Sequence, residues 1–122
     1  MIYYSRNHEY VRIENKNVYI GLSSYAMDLL GDITLIELIK ETNVEEQEEL
    51  GNIIGRDDSH ELICPLACNI LEINSEIIDD YELLIERPEE EGWIFSVKLI
   101  DKHEISNLLS FQQYKDFCNE EF

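Results

Sequence analysis

Apolar and polar residues alternate along several short runs in the first hundred residues. EYVRIE (9–14) and NVYIGL (17–22) are two such runs, and the turn-rich residues ENKN join them. Alternation of this kind is typical of a β-strand with one buried face, and two such runs around a short turn predict a β-hairpin. Later strand-like runs are ITLIELI (33–39), GNIIG (51–55), ELICPL (61–66), CNILEIN (68–74) and GWIFSVKLI (92–100).

Helical spacing replaces alternation in two places. The segment SSYAMDLLGD (23–32) has apolar residues on one side, a serine at position 23 or 24 that can cap the helix, and Gly31 to end it. The last residues, about 102–120, also predict helices. There Ile105, Leu108 and Leu109 share a face, and Ser110 caps a segment that presents Phe111, Tyr114 and Phe117.

Together these elements predict a mainly β fold with a small internal helix and C-terminal helices. Several short strands at regular spacing favour a sandwich or flattened barrel. Residues 40–50 are acidic and predict mostly loop, and the residues before Gly92 predict an acidic connection. No low-complexity segment or linker divides the chain, so we expect a single domain over 1–122.

Charge is the unusual property of the composition. Nine basic and 27 acidic side chains give a net charge of −18. Such a field repels nucleic acids and anionic membranes, and it favours basic protein partners. The same charge is also explained by solubility alone. With no membrane-length apolar run and no signal peptide at the start, we expect a cytoplasmic protein, and a monomer.

Three cysteines, Cys64, Cys68 and Cys118, should be reduced in that compartment. Cys64 and Cys68 flank Pro-Leu-Ala, and three interpretations are open. In the first interpretation, Cys64 is a small buried residue and Cys68 is a turn residue. In the second, the two form a redox pair. In the third, they bind zinc together with His60. Zinc needs a fourth ligand, and this spacing matches no standard site, so we predict no metal centre.

The charged segment GRDDSHE (55–61) has the composition of a solvated turn. Asp57, Asp58 and Glu61 are too few ligands for a calcium cage. The chain has no glycine-rich phosphate loop and no nucleophile elbow. We therefore expect a non-catalytic protein and not an enzyme.

Read in order, the motifs resemble the H protein of the glycine cleavage system. The similar segments are NHEYVRIENKNVYIGLSSYAMDLLGDITLIEL (7–38), CPLACNILEINSEIIDD (64–80), ELLIERPEEEGWIFSVKL (82–99) and LLSFQQYKDF (108–117). The resemblance implies a lipoyl-domain-like barrel-sandwich hybrid that carries lipoate on a hairpin lysine. It also places His8 near that hairpin, where we expect a packed or capping imidazole or, alternatively, a functional one.

At the family's attachment point this chain departs from the pattern. The lipoyl lysine of the family lies eight residues before the proline of the exit strand, and counting back from Pro65 reaches Asp57. The glutamate and serine that precede the lysine correspond to Ile54 and Gly55. Residues 41–97 contain no lysine. A carboxylate cannot form the lipoyl amide, and the guanidinium of Arg56 is a poor nucleophile. We therefore expect no cofactor.

Three functions follow from this resemblance. The first is a non-lipoylated protein–protein interaction module that binds glycine cleavage or lipoate-handling enzymes. The second is a working H-type carrier that uses other chemistry, and the third is an acidic decoy for a basic partner. The acidic runs at 41–49 and 86–91 sit in connections instead of across one face, which favours the first.

Overall fold

The computed structural model describes residues 1–120, so residues 121 and 122 of the predicted domain lie outside it. Two antiparallel sheets form the body. The six-stranded sheet has the order β1-β2-β3-β9-β8-β5, and the three-stranded sheet has the order β4-β6-β7. The strands are β1 (Ile2–Tyr4), β2 (Glu9–Glu14), β3 (Asn17–Leu22), β4 (Ile33–Leu38), β5 (Asn43–Val44), β6 (Glu49–Gly55), β7 (Ser59–Ile63), β8 (Cys68–Ile73) and β9 (Phe95–Leu99).

The helices are short. They are α1 (Ser24–Leu30), α2 (Ser75–Asp79), α3 (Glu82–Glu86), a 3-10 helix (Lys102–Asn107) and α4 (Phe111–Glu120). The mainly β fold class with an internal helix and helices at the end is therefore confirmed. The β2–β3 hairpin is also confirmed, with Glu14 opposite Asn17 and Asn15 in a left-handed conformation at the turn.

Two connections contain more structure than the pattern predicted. Residues 40–50, predicted as loop, include β5 and the start of β6. The acidic connection before Gly92 contains α2 and α3, because Asn74 caps α2 and each helix buries one large residue, Ile77 and Leu84. The first strand, β1, was not predicted either. These elements are too short to show a recognisable periodic pattern of apolar residues.

The main core fills the space between the two sheets, and its largest fully buried members include Leu22, Ile53, Leu62 and Phe95. Trp93, just before β9, is half-buried and packs against Tyr19, with 5.0 Å between ring centroids.

A second cluster lies under α4. Its members are Tyr4, Tyr10, Leu109, Tyr114 and Cys118. The predicted cap is confirmed: the backbone N–H of Gln113 donates to the Ser110 hydroxyl over 3.2 Å, and the Gln113 side chain accepts from the Ser110 N–H over 2.9 Å. This reciprocal pair of hydrogen bonds is a capping box, which fixes where α4 begins.

Tyr10 and Gly21 form a cross-strand pair in this region. The Tyr10 ring is fully buried and lies directly over Gly21, so that a Cβ there would meet three atoms of the ring. The phenol also donates a 2.6 Å hydrogen bond to the Pro88 carbonyl, which prevents the ring from moving aside.

We expect Gly21→Ala to lower the free energy of unfolding by about 1–3 kcal/mol, because the added methyl overpacks a site that cannot relax. Urea denaturation measures this change. In Tyr10→Leu/Gly21→Ala the loss should be smaller than the sum of the two single changes. Additive losses would show that the ring does not restrict Gly21.

Candidate functional site

The tip of the β6–β7 hairpin consists of residues 56–58, with Asp57 exposed. Its backbone is bonded to the body of the protein. The N–H of Asp57 donates to the carbonyl of Leu30, the last residue of α1, over 2.9 Å, and the N–H of Arg56 donates to the carbonyl of Asp32 over 2.8 Å. The tip is thus held against the end of α1.

Two glycines allow this close approach. Gly31 has a φ of 73°, and a Cβ on it would run into the Asp57 carboxylate. A Cβ on Gly55 would meet the carbonyl oxygen of Leu30. Side chains at either position would push the tip away from α1.

Arg56 lies between two carboxylates at the tip. Its guanidinium is 3.1 Å from an oxygen of Asp57 and 3.4 Å from one of Asp32. The hydrogen bond from Arg56 lowers the pKa of Asp57, so this side chain is ionised at neutral pH. The exposed side chains of the tip are therefore the paired guanidinium of Arg56 and the carboxylates of Asp57 and Asp58, and none of them is an amine.

A buried carboxylate, that of Glu9 in β2, lies against β7 of the same hairpin. It accepts hydrogen bonds from the Ser5 hydroxyl (2.7 Å), the Asn7 amide (2.7 Å) and the backbone N–H of Ile63 (3.1 Å). The His60 ring also lies 3.1 Å from it. A buried charge is stable only when it is bonded in this way.

His8, next in sequence, packs among aromatic rings. Its Nδ1 is 2.7 Å from the Tyr114 hydroxyl, which in turn lies 2.6 Å from the Ser23 hydroxyl. The ring also contacts Tyr25. Burial raises the pKa of Tyr114 above its usual range, so the phenol keeps its proton. This geometry agrees with the packed imidazole that we expected.

Cys64 and Cys68 are brought together, with their sulfur atoms 3.9 Å apart. Both are free thiols with exposures of 0% and 1%. Cys68 is not a turn residue, as one interpretation had it, because it begins β8 and is buried in the core. The hydrogen bond with Cys68, together with burial, raises the pKa of the Cys64 thiol.

His60, the third proposed zinc ligand, is directed to Glu9 instead of to the cysteines. Within residues 1–120 no group of three or more His, Cys, Asp or Glu side chains is arranged to hold a metal ion. No helix in that range is long and apolar enough to cross a membrane.

Sequence reasoning identified the tip and the cysteine pair but missed the Glu9 cluster. Alternation puts Glu9 on the same face of β2 as Val11 and Ile13, but the pattern does not identify the partners of its carboxylate. Asn7 and Ser5 precede the strand, while His60 and Ile63 are over fifty residues away. The signal available in the sequence was a carboxylate on the apolar face of this strand.

Comparisons with known proteins identify the family. The sequence profile of the glycine cleavage H-protein family matches residues 2–121. The glycine cleavage system H protein of Staphylococcus carnosus is 39% identical over 118 residues, 96% of this chain and 94% of that protein. The H protein of Thermotoga maritima is 32% identical, over 97% of this chain and 96% of that one.

A solved structure shares the fold. The crystal structure of a glycine cleavage system H protein from Mycobacterium marinum superposes with a TM-score of 0.82 at 24% identity, over 98% of this chain and 95% of that one. The barrel-sandwich architecture expected from the resemblance is therefore confirmed.

The cysteine pair gives a prediction about thiol reactivity. We expect Cys64 and Cys68 to react slowly with Ellman's reagent in the folded protein, and all three thiols to titrate rapidly after denaturation, because both thiols are buried and the reagent reaches them only when the chain unfolds. Protein incubated with oxidised glutathione before denaturation should still yield three thiols. Loss of two thiols that Cys64→Ser abolishes would establish a redox pair instead.

The Glu9 cluster gives a prediction about stability. In Glu9→Gln one carboxylate oxygen becomes an NH₂ group that faces donors, so we expect a loss of about 1–3 kcal/mol in unfolding free energy. The control is Glu14→Gln at the exposed end of the same strand, which should change little. Equal urea midpoints for the two variants would contradict the role assigned to Glu9.

Proposed function

Since this chain belongs to the glycine cleavage H-protein family, we propose that it is a non-lipoylated member that acts by binding other proteins, with Asp57 at the position of the lipoyl lysine. Family membership makes it a non-catalytic, carrier-like protein. The proposed partners are enzymes that cleave glycine or handle lipoate, and the proposed location is the cytoplasm.

The observation that carries this proposal is the absence of any lysine from residue 41 to residue 97. Lipoylation forms an amide and so needs an amine nucleophile. The flanking lysines are Lys40, after β4, and Lys98, on β9, and both lie outside the β6–β7 hairpin. Shifting the alignment by a few residues therefore supplies no acceptor.

The way the tip is held supports the proposal. A carrier arm has to present its end to an enzyme. Here the Asp57 N–H donates to the carbonyl of Leu30 at the end of α1, and the Arg56 N–H donates to the carbonyl of Asp32, two residues further on. Gly55 stands where the resemblance places a serine, and the serine Cβ would meet the Leu30 carbonyl. The substitutions at 55 and 57 thus suit one closed conformation of the tip.

The alternative of a carrier with other chemistry needs a reactive group that a partner can reach. Cys64 and Cys68 are the nearest thiols, and both are buried in the core. The alternative of a decoy rests on net charge, and it predicts that binding falls steeply with added salt and tolerates single substitutions on the surface. A docking module depends instead on particular side chains.

The test is intact-mass measurement after co-expression with a lipoyl ligase and lipoic acid, with peptide mapping of any adduct. We expect this chain to remain unmodified, while the Staphylococcus carnosus relative, treated identically, reports whether the ligase is active. A lipoyl adduct on this chain would overturn the proposal.

Asp57→Lys tests the position itself. We expect it to accept lipoate at residue 57, but less completely than the relative, because Ile54 and Gly55 still replace the glutamate and serine of the family. The matched control is Asp58→Lys, which places the same amine one residue away. Modification of Asp58→Lys in preference to Asp57→Lys would show that the acceptor position has been misassigned.

A further inference from the structure

A groove of about 510 Å³ lies at the opposite end of β2 from Glu9, where the β2–β3 turn meets β9 and the 3-10 helix. Leu71, Leu99 and Ile105 form part of its apolar lining, and the lysines Lys16, Lys98 and Lys102 also line it. Small-molecule sites are of this kind: mostly apolar, with a few polar groups, and roughly 300–1,000 Å³ in volume.

The charge around this groove is opposite to that of the molecule. The chain has five lysines and a net charge of −18, yet three of the five line this single groove. The other two, Lys40 and Lys115, lie elsewhere, after β4 and in α4. If the five lysines were evenly distributed over the surface, three of them would not line the same groove.

The three lysines are not neutralised by their neighbours. Within residues 1–120, no carboxylate lies within 4.0 Å of any of their ammonium groups. The acidic residues nearest in sequence are engaged elsewhere: Glu14 with Arg12, Asp101 with the His103 N–H, and Glu104 with the Ala67 N–H. The ammonium groups are therefore available to an anion from outside.

Beside the lysines the lining exposes apolar surface. The pairing of β8 with β9 is irregular between Ile70 and Glu72, and Leu71, at this irregularity, is 64% exposed. Leu71 adjoins Val97, Leu99 and Ile105 in the lining, and a contiguous apolar patch of this kind, unlike a single exposed side chain, is typical of a binding surface. The groove thus offers an apolar strip and a cationic group of side chains together.

We propose that this groove binds a linear-chain carboxylate, with the hydrocarbon on Leu71, Leu99 and Ile105 and the carboxylate on the lysines. The net charge favours such a ligand over an acidic protein segment, since repulsion from −18 grows with the number of negative charges brought in. The volume of about 510 Å³ also favours it, since it lies in the range of small-molecule sites. This site is independent of the function proposed for the tip.

Sodium decanoate is the probe, titrated below its micelle concentration into the ¹⁵N-labelled full chain. We expect saturable amide shifts confined to the groove, around residues 13–18, 70–71 and 97–105. Sodium propionate tests the head group alone, and decyltrimethylammonium tests the same chain with the opposite charge. Both should bind more weakly than decanoate.

Paired variants test the charge. Lys98→Gln/Lys102→Gln should weaken decanoate binding about fivefold, the effect of two exposed ionic contacts. Lys40→Gln/Lys115→Gln changes the net charge equally and should leave binding unaltered. For the apolar part, Leu71→Gln should weaken binding, whereas Leu35→Gln, an exposed leucine of β4, should not.

Several results would overturn the proposal: no shifts at the groove, shifts spread over the whole surface, equal or tighter binding of decyltrimethylammonium, or equal weakening by the two lysine pairs. Because all the replaced residues are exposed, the variants should fold, and their amide spectra verify this directly.

Discussion

The carboxylate of Glu9 links the two sheets of this protein. It belongs to β2 of the six-stranded sheet, and it accepts from the backbone of Ile63 in β7 of the three-stranded sheet. The Ser5 hydroxyl and the Asn7 amide bond the same group from the segment before β2. A charge buried at a junction must find several donors at once, and so it fixes one arrangement of the elements that supply them.

The hairpin that this junction supports ends in a tip with its own constraints. The backbone of Asp57 is bonded to the end of α1, and the absence of a side chain at Gly31 and Gly55 makes that approach possible. Under the proposed function, position 57 has neither the amine that lipoylation needs nor a tip free of backbone hydrogen bonds to the rest of the protein. The side chain of Asp57 is a carboxylate and not an amine, and its backbone N–H is hydrogen-bonded to Leu30.

The local pattern of apolar and polar residues was sufficient to predict elements that have one buried face and one exposed face. The β2–β3 hairpin, α1 with its serine cap and glycine end, and the Ser110 cap of α4 were all readable from the sequence. Short elements were not, since β5 has two residues and α2 has five. The Glu9 cluster could not be predicted because its partners are distant in the chain, and Cys68 was misplaced because its burial depends on β9 packing beside it.

The first and last parts of the chain are bonded to each other. Tyr4 of β1 forms a backbone bridge to Leu109, and its ring stacks on Tyr114 of α4 with 4.2 Å between centroids. Tyr10, whose ring covers Gly21, belongs to the same cluster. During synthesis on a ribosome, this aromatic surface of the N-terminal hairpin stays uncovered until the final helix emerges. This part of the fold therefore forms only once α4 has been synthesised, and a chain that stopped before α4 would expose these aromatic rings to chaperones and proteases.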